Sequence, residues 1–489
     1  MPCTTILVGK KASFDGSTLV ARNEDCPQGQ YNPKRLALVK KEEVKAHYQA
    51  VLSQLDIKID RDPLTYSYTP NSDLREGIWG CYGVNEKNVS MTATETITSN
   101  ERVLSADPLL KAENEGEKPQ GLGEEDMVSL CLPYIQSARD GVLWLGQLLE
   151  EHGTYEMNGI AFQDQEEIWW LETLGGHHWM AKRVPDEAYV IMPNQLGIDS
   201  FDFQDAYGKK EGHLCSQDLK DFVEKNHLDL RMDQEEVFNP RWAFGSHTDA
   251  DHSYNTPRAW VLLRYFNPKT YSWDGERADF GPEDDDLPWS LVPERKITVE
   301  DIKWALSNHY QGTPYDPYQR TGDPSSKKKY RPIGINRTNV LGLVQIRPDL
   351  PEEIKSLHWL AFASNVFNAL VPFYTCVEDF PAYVNKPVLK PSTDSFYWVN
   401  RLIGALADPH IKDCQIDIDR YQDKVHGRTL EIIKKTDAAI LAGGSSKELA
   451  TRANQEIADF VEEESLKLLD QVLFKASNAM TNSFSRSDA

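Results

Sequence analysis

The opening of the chain constrains its fold more than any other stretch. Residues 4–8 (Thr-Thr-Ile-Leu-Val) are β-branched or apolar, Asp15-Gly16 is a strong turn signal, and residues 17–21 (Ser-Thr-Leu-Val-Ala) resume the same composition. That pattern predicts a β-hairpin. A turn near Asp15-Gly16 folds residues 21–25 (Ala-Arg-Asn-Glu-Asp) back beside Cys3. A thiol then lies near the guanidinium of Arg22 and the carboxylate of Asp25.

The grouping has a chemical use if Met1 and Pro2 are removed. Cys3 then carries a thiol and a free α-amine, and such an amine titrates near about 7.7–8.0. One residue supplies nucleophile and base together. Arg22 favours the thiolate over the thiol, and Asp25 orients Arg22 or hydrogen-bonds the amine. Residue type alone leaves a blander reading open: a cysteine ahead of an apolar strand is more often a small buried hydrophobe, and charges at a strand end are usually solvated.

The combination of motifs carries a resemblance. Cys-Thr-Thr-Ile-Leu-Val-Gly-Lys-Lys-Ala from Cys3, and Asp-Gly-Ser-Thr-Leu-Val-Ala-Arg-Asn-Glu-Asp ending at Asp25, resemble the opening of cysteine dipeptidases of the dipeptidase A type. These belong to peptidase family C69, are found in lactic acid bacteria and are N-terminal nucleophile hydrolases. The Arg22 to Asp25 element is also similar to that of penicillin V acylases and conjugated bile acid hydrolases. The resemblance implies an α+β fold, a four-layer αββα sandwich with the nucleophile at the start of a central strand. It implies Cys3, Arg22 and Asp25 as catalytic residues, a small peptide as partner and substrate, broad dipeptidase activity, and no cofactor or metal. Pro2 departs from the simplest case, because methionine removal alone leaves Pro-Cys, so a second cleavage must expose Cys3.

Further candidates follow along the chain. Asn85-Glu86-Lys87-Asn88 reads as a turn between two strands, the second alternating into Glu95. By resemblance Glu95 stands where relatives keep an oxyanion-stabilising asparagine. A carboxylate cannot do that unless protonated, so Glu95 is expected to contact a substrate amine, or else to be a structural residue exposed on the hairpin. Residues 154–194 read as an antiparallel meander of short strands. Adjacent side chains on a strand face opposite ways, so His177-His178 is not read as a metal site. Asn194 matches the position of a polar group near the reacting carbonyl in the resembled family, and its amide is suited to donate to an oxyanion. Arg258 follows a proline-containing turn and by the same resemblance faces the nucleophile, with a planar fork suited to holding a carboxylate.

Composition limits the function classes. The 489 residues carry a formal net charge of −23, which disfavours nucleic acid and anionic membrane as partners. No apolar run suggests a membrane span and no secretory leader is evident, so the expected location is cytoplasmic. Seven scattered cysteines without a CxxC pair suggest reduced thiols. Residues 108–123 read as a loop excursion, Glu124-Glu125-Asp126 as the start of an amphipathic helix with Met127, Leu130, Cys131, Tyr134 and Ile135 at helical spacing that Pro133 kinks or ends early, 3–410 as the hydrolase domain, and 411–489 as a helical extension packed on it. A homo-oligomer stays open. Two alternatives remain beside the peptidase: an acylase of a non-peptide amide, and a non-catalytic interaction protein resembling secernin.

Overall fold

The computed structural model describes residues 3–27, 29–93, 95–233 and 236–480, and of Glu95 the backbone only. The expected hairpin is present. Strand β1 (Cys3–Val8) pairs antiparallel with β2 (Thr18–Asp25), Cys3 opposite Glu24 and Leu7 opposite Val20. Every residue of both strands is buried, the charged end of β2 included.

That burial follows from position. The hairpin lies in the middle of a seven-stranded antiparallel sheet, flanked by Tyr189–Met192 on the β1 side and Thr338–Ile346 on the β2 side. A second antiparallel sheet of nine strands includes Tyr82–Asn85, Ser90–Thr92, Asn158–Gln163, Ile168–Thr173 and Trp179–Arg183. Side chains alternate across each strand, so successive residues enter different apolar layers. Leu7 and Val20 pack with Ala161, Trp170 and Met180 of the second sheet. Ile6, Val8, Leu19 and Ala21 turn the other way, into a core shared with helices Thr256–Phe266 and Phe396–Ala407. On the far side of the second sheet, Ile160, Phe162, Trp169 and Leu171 meet helix Ala138–His152. The two sheets also bond directly: Gln163 donates to Thr18 Oγ1 at 2.9 Å, and the Tyr82 hydroxyl donates to the Trp359 carbonyl at 2.7 Å. Gly342 is required beneath Tyr82, since a Cβ there would lie 1.8 Å from the ring. The result is an α+β protein of mixed helix and antiparallel sheet.

Two expectations change. The meander is real for Asn158–Gln163, Ile168–Thr173 and Trp179–Arg183, but Tyr189–Met192 leaves it and pairs with β1 in the other sheet. The crossing is fixed where the turn at residues 185–188 meets the end of β1: Gly9 donates to the Ala188 carbonyl at 2.9 Å and Lys11 to that of Asp186 at 2.7 Å. Gly9 permits this approach, because a Cβ would sit 2.4 Å from the Asp186 oxygen. The crossing carries Asn194 to the start of β1. The strand expected to run into Glu95 stops at Thr92, and Glu95–Thr96 pairs separately with Asn158–Gln163.

Residues 108–123 hold no helix or strand, and helix Glu124–Cys131 gives way to a 3-10 turn at Leu132–Tyr134 where Pro133 predicts its end. Helices Ile411–Leu441 and Ser446–Asn478 pack on each other and on the edge strand Val371–Tyr374. No helix among the described residues is long and apolar enough to cross a membrane.

Candidate active site

Arg22 organises the site. Its Nη2 donates to Cys3 Sγ at 2.9 Å and to Glu124 Oε1 at 2.7 Å, and its Nη1 donates to the Cys81 carbonyl at 3.1 Å and to Cys81 Sγ at 3.4 Å. Glu24 stands 3.8 Å from Nη1. Burial works against the Arg22 charge, but Cys3, Cys81, Glu124 and Glu24 outweigh it and hold the guanidinium well above its usual range. Cys81 is pushed up to about 12 by burial despite Arg22, so it remains a thiol.

The backbone of Cys3 is held from the opposite side. Its N–H donates to Asn194 Oδ1 at 2.9 Å. Arg258, in the first turn of helix Thr256–Phe266, donates from Nη2 to the same Oδ1 at 2.8 Å and to Asn255 Oδ1 at 2.7 Å. Its Nη1 donates to the Cys3 carbonyl and, at 2.8 Å, to Thr4 Oγ1. Two donors on Oδ1 fix which end of the Asn194 amide is oxygen.

At the end of β2, Asp25 accepts from Arg331 and, at 2.6 Å, from the Thr338 hydroxyl. The ladder slips between Thr338 and Val340, inserting Asn339 as a bulge beside Asp25 and Glu24. Such bulges re-aim side chains at a strand end. The guanidinium groups of Arg258 and Arg331 both lie over the Tyr254 ring, 5.4 and 4.9 Å from its centre. Lys34 pairs with Glu24 at 2.7 Å. Cys3, Arg22, Glu24, Asp25, Lys34, Glu124 and Arg258 are all buried.

The model of peptidase family C69 matches residues 2–424. This chain belongs to peptidase family C69. It is 50% identical to a dipeptidase of Bifidobacterium longum (strain NCC 2705) over 100% of both chains. It is likewise 50% identical to a probable dipeptidase A of Streptococcus pyogenes serotype M3 over 100% of both, and 44% identical to dipeptidase A of Lactobacillus helveticus over 98% of each.

Within this C69 chain, four of the residues singled out from sequence converge: Cys3 and Arg22 touch, and Asn194 and Arg258 clamp the Cys3 backbone. Asp25 lies on the same strand end but is held by Arg331 and Thr338, so the expectation that it orients Arg22 gives way; Glu124 pairs with Arg22. Arg258 directs its fork at Cys3, Thr4, Asn194 and Asn255, an arrangement for positioning. The Glu95 side chain lies outside the described residues.

Sequence reasoning missed Glu124, Arg331 and Thr338. Glu124 reads as a solvated helix start, yet Glu124, Glu125 and Asp126 are all buried. Three consecutive acids ahead of an apolar helix face are the only local hint. His177 and His178 precede strand Trp179–Arg183 in a turn, so they do not face apart as strand neighbours would; both bond Asp107, at 3.0 and 2.7 Å. Burial would raise Asp107, but His178 and His177 hold it well below the usual carboxylate range. A cavity of about 650 Å³ beside Lys303 and His426 contains none of the site residues.

Proposed function

We propose that the chain is a cysteine-type dipeptidase of broad specificity, in which Cys3 becomes the N-terminal nucleophile after removal of Met1 and Pro2. The observation that carries this reading is the 2.9 Å contact of Arg22 with Cys3 Sγ, combined with Asn194 holding the Cys3 nitrogen at 2.9 Å. A guanidinium against the sulfur favours the thiolate. The sulfur attacks the peptide carbonyl carbon, and the α-amine of Cys3 passes a proton to the departing amine. Water, deprotonated by the same amine, then opens the thioester and returns the thiol.

In this mechanism Asn194 keeps the amine in place through Oδ1 and turns its amide N–H toward the oxyanion. Arg258 and Asp25 are positioning residues: one fixes the carbonyl side of Cys3, the other the end of β2. The leader is removed by Cys3 sulfur attacking the Pro2 carbonyl, which breaks the Pro2–Cys3 amide and frees the Cys3 amine, with water hydrolysing the resulting thioester to return the thiol, or by another peptidase. The stacked sheets with helices outside read as the αββα sandwich of N-terminal nucleophile hydrolases, with residues 3–410 as the catalytic unit and 411–489 as an extension. A cytoplasmic site of action accords with thiols that form no disulfide among the described residues.

The relatives named dipeptidase support the substrate class. A panel of dipeptides, N-acyl amides and longer peptides tests it: turnover of dipeptides is expected for the wild type, and none for Cys3→Ala. Hydrolysis of N-acyl amides alone would indicate an acylase, and no turnover of any substrate an interaction protein.

A further inference from the structure

We propose that Glu124 receives the α-ammonium of the substrate residue whose carbonyl Cys3 attacks, restricting the enzyme to peptides whose free amino terminus directly precedes the scissile bond. The inference rests on the reading of Cys3 as nucleophile. It transfers to Glu124 the role that the sequence suggests for Glu95.

A single nitrogen, Arg22 Nη2, bonds both Cys3 Sγ and Glu124 Oε1, at 2.9 and 2.7 Å. The carboxylate is therefore no more than two hydrogen-bond lengths from the sulfur. Attack needs the carbonyl carbon within roughly 3–3.5 Å of the nucleophile, and in an α-amino acid the nitrogen is only one carbon further on. A residue seated on Cys3 places its α-nitrogen within reach of Glu124.

The charge suits a cation. The Arg22 guanidinium, 2.7 Å from Glu124 Oε1, favours the carboxylate form of Glu124. Neighbouring acids are engaged elsewhere: Glu125 accepts from Ile78 N–H at 3.0 Å and from Leu52 N–H at 2.5 Å. Asp126 accepts from the Tyr48 hydroxyl at 2.7 Å and Gly123 N–H at 3.0 Å, and Glu156 from Glu124 N–H at 2.5 Å. Glu124 is the member of this acidic group that turns its side chain to the Cys3–Arg22 pair. An acylated substrate would set an uncharged amide and a carbonyl against a buried anion, which costs affinity twice. A substrate carboxylate is repelled from the same side, so the orientation of the dipeptide follows.

The test measures kcat/KM of wild type and Glu124→Gln on alanyl-alanine, N-acetyl-alanyl-alanine and 2-hydroxypropanoyl-alanine, with intact mass confirming that each begins at Cys3. For the wild type, acetylation or exchange of the amine for hydroxyl is expected to lower kcat/KM about 100-fold or more. In Glu124→Gln the free dipeptide falls by about that factor, while the ratio of free to hydroxy substrate contracts to within about 5-fold. Alkylation of Cys3 by iodoacetamide at neutral pH changes by less than about 3-fold, because Arg22 still contacts the sulfur. Loss of activity on all substrates in equal proportion, or a wild type indifferent to the amine, overturns the proposal and leaves the dipeptidase reading standing. Undiminished hydrolysis by Cys3→Ala would instead overturn that reading. If Glu124→Gln keeps its leader, the comparison is made in a Pro2-deleted background; a wild type indifferent to the hydroxy substrate overturns the proposal regardless of how the variant folds.

Discussion

Arg22 joins the sulfur to the carboxylates around it, so its replacement separates charge from geometry. Lysine keeps the charge but cannot span Cys3, Cys81 and Glu124 with a planar fork. Arg22→Lys is expected to lower dipeptidase kcat/KM about 100-fold, roughly 2.7 kcal/mol in transition-state stabilisation, and to slow Cys3 alkylation at pH 7. Equal rates for variant and wild type would remove Arg22 from the chemistry. Cys3 and Arg22 were legible from the hairpin that folds one beside the other, and Asn194 and Arg258 only through the family resemblance, carried by a strand ending in Asn and a proline-containing turn. Glu124 and Arg331 were not. Their partners lie 102 and 306 positions away in the chain, and nothing local distinguishes a buried acid at a helix start from a solvated one.

Among the elements, the hairpin was readable because β-branched runs and Asp15-Gly16 act over short range. The departure of Tyr189–Met192 from its neighbours was not, since it depends on Gly9 meeting the turn at Asp186 across the sheet. The edge strand Val371–Tyr374 shows another long-range dependence. Asn454, in helix Ser446–Asn478, accepts from Tyr374 N–H and donates to the Tyr374 carbonyl, both at 2.9 Å, taking the place of a neighbouring strand. Edge strands otherwise expose such groups to aggregation. Asn454→Ala leaves two buried backbone groups unpaired and is expected to cost about 2–4 kcal/mol in urea unfolding. A cost within 0.5 kcal/mol, roughly that of a surface change, would contradict this role.

For the whole molecule, the α+β class and the helical C-terminal region were legible from strand alternation and from long charged, amphipathic stretches. Burial of acids was invisible in a net charge of −23. Asp126 and Glu156 are pushed up to about 7, each first by burial and then by neighbouring carboxylates, Glu125 for one and Glu124 for the other. Folding thus raises their affinity for protons above that in the unfolded chain, where carboxyls titrate near about 4. Their contribution is fully present below that value and is lost as pH rises through about 7. Glu156→Gln, which can still accept from Glu124 N–H, is expected to flatten the fall in urea midpoint between pH 5 and 8. A fall as steep as in wild type would show that Glu156 does not titrate in this range.

The central claim is that Cys3 heads the mature chain. Intact mass spectrometry of the purified, active protein reads this directly: the account predicts a mass beginning at Cys3. An active protein whose mass still includes Met1 or Pro2 would contradict it.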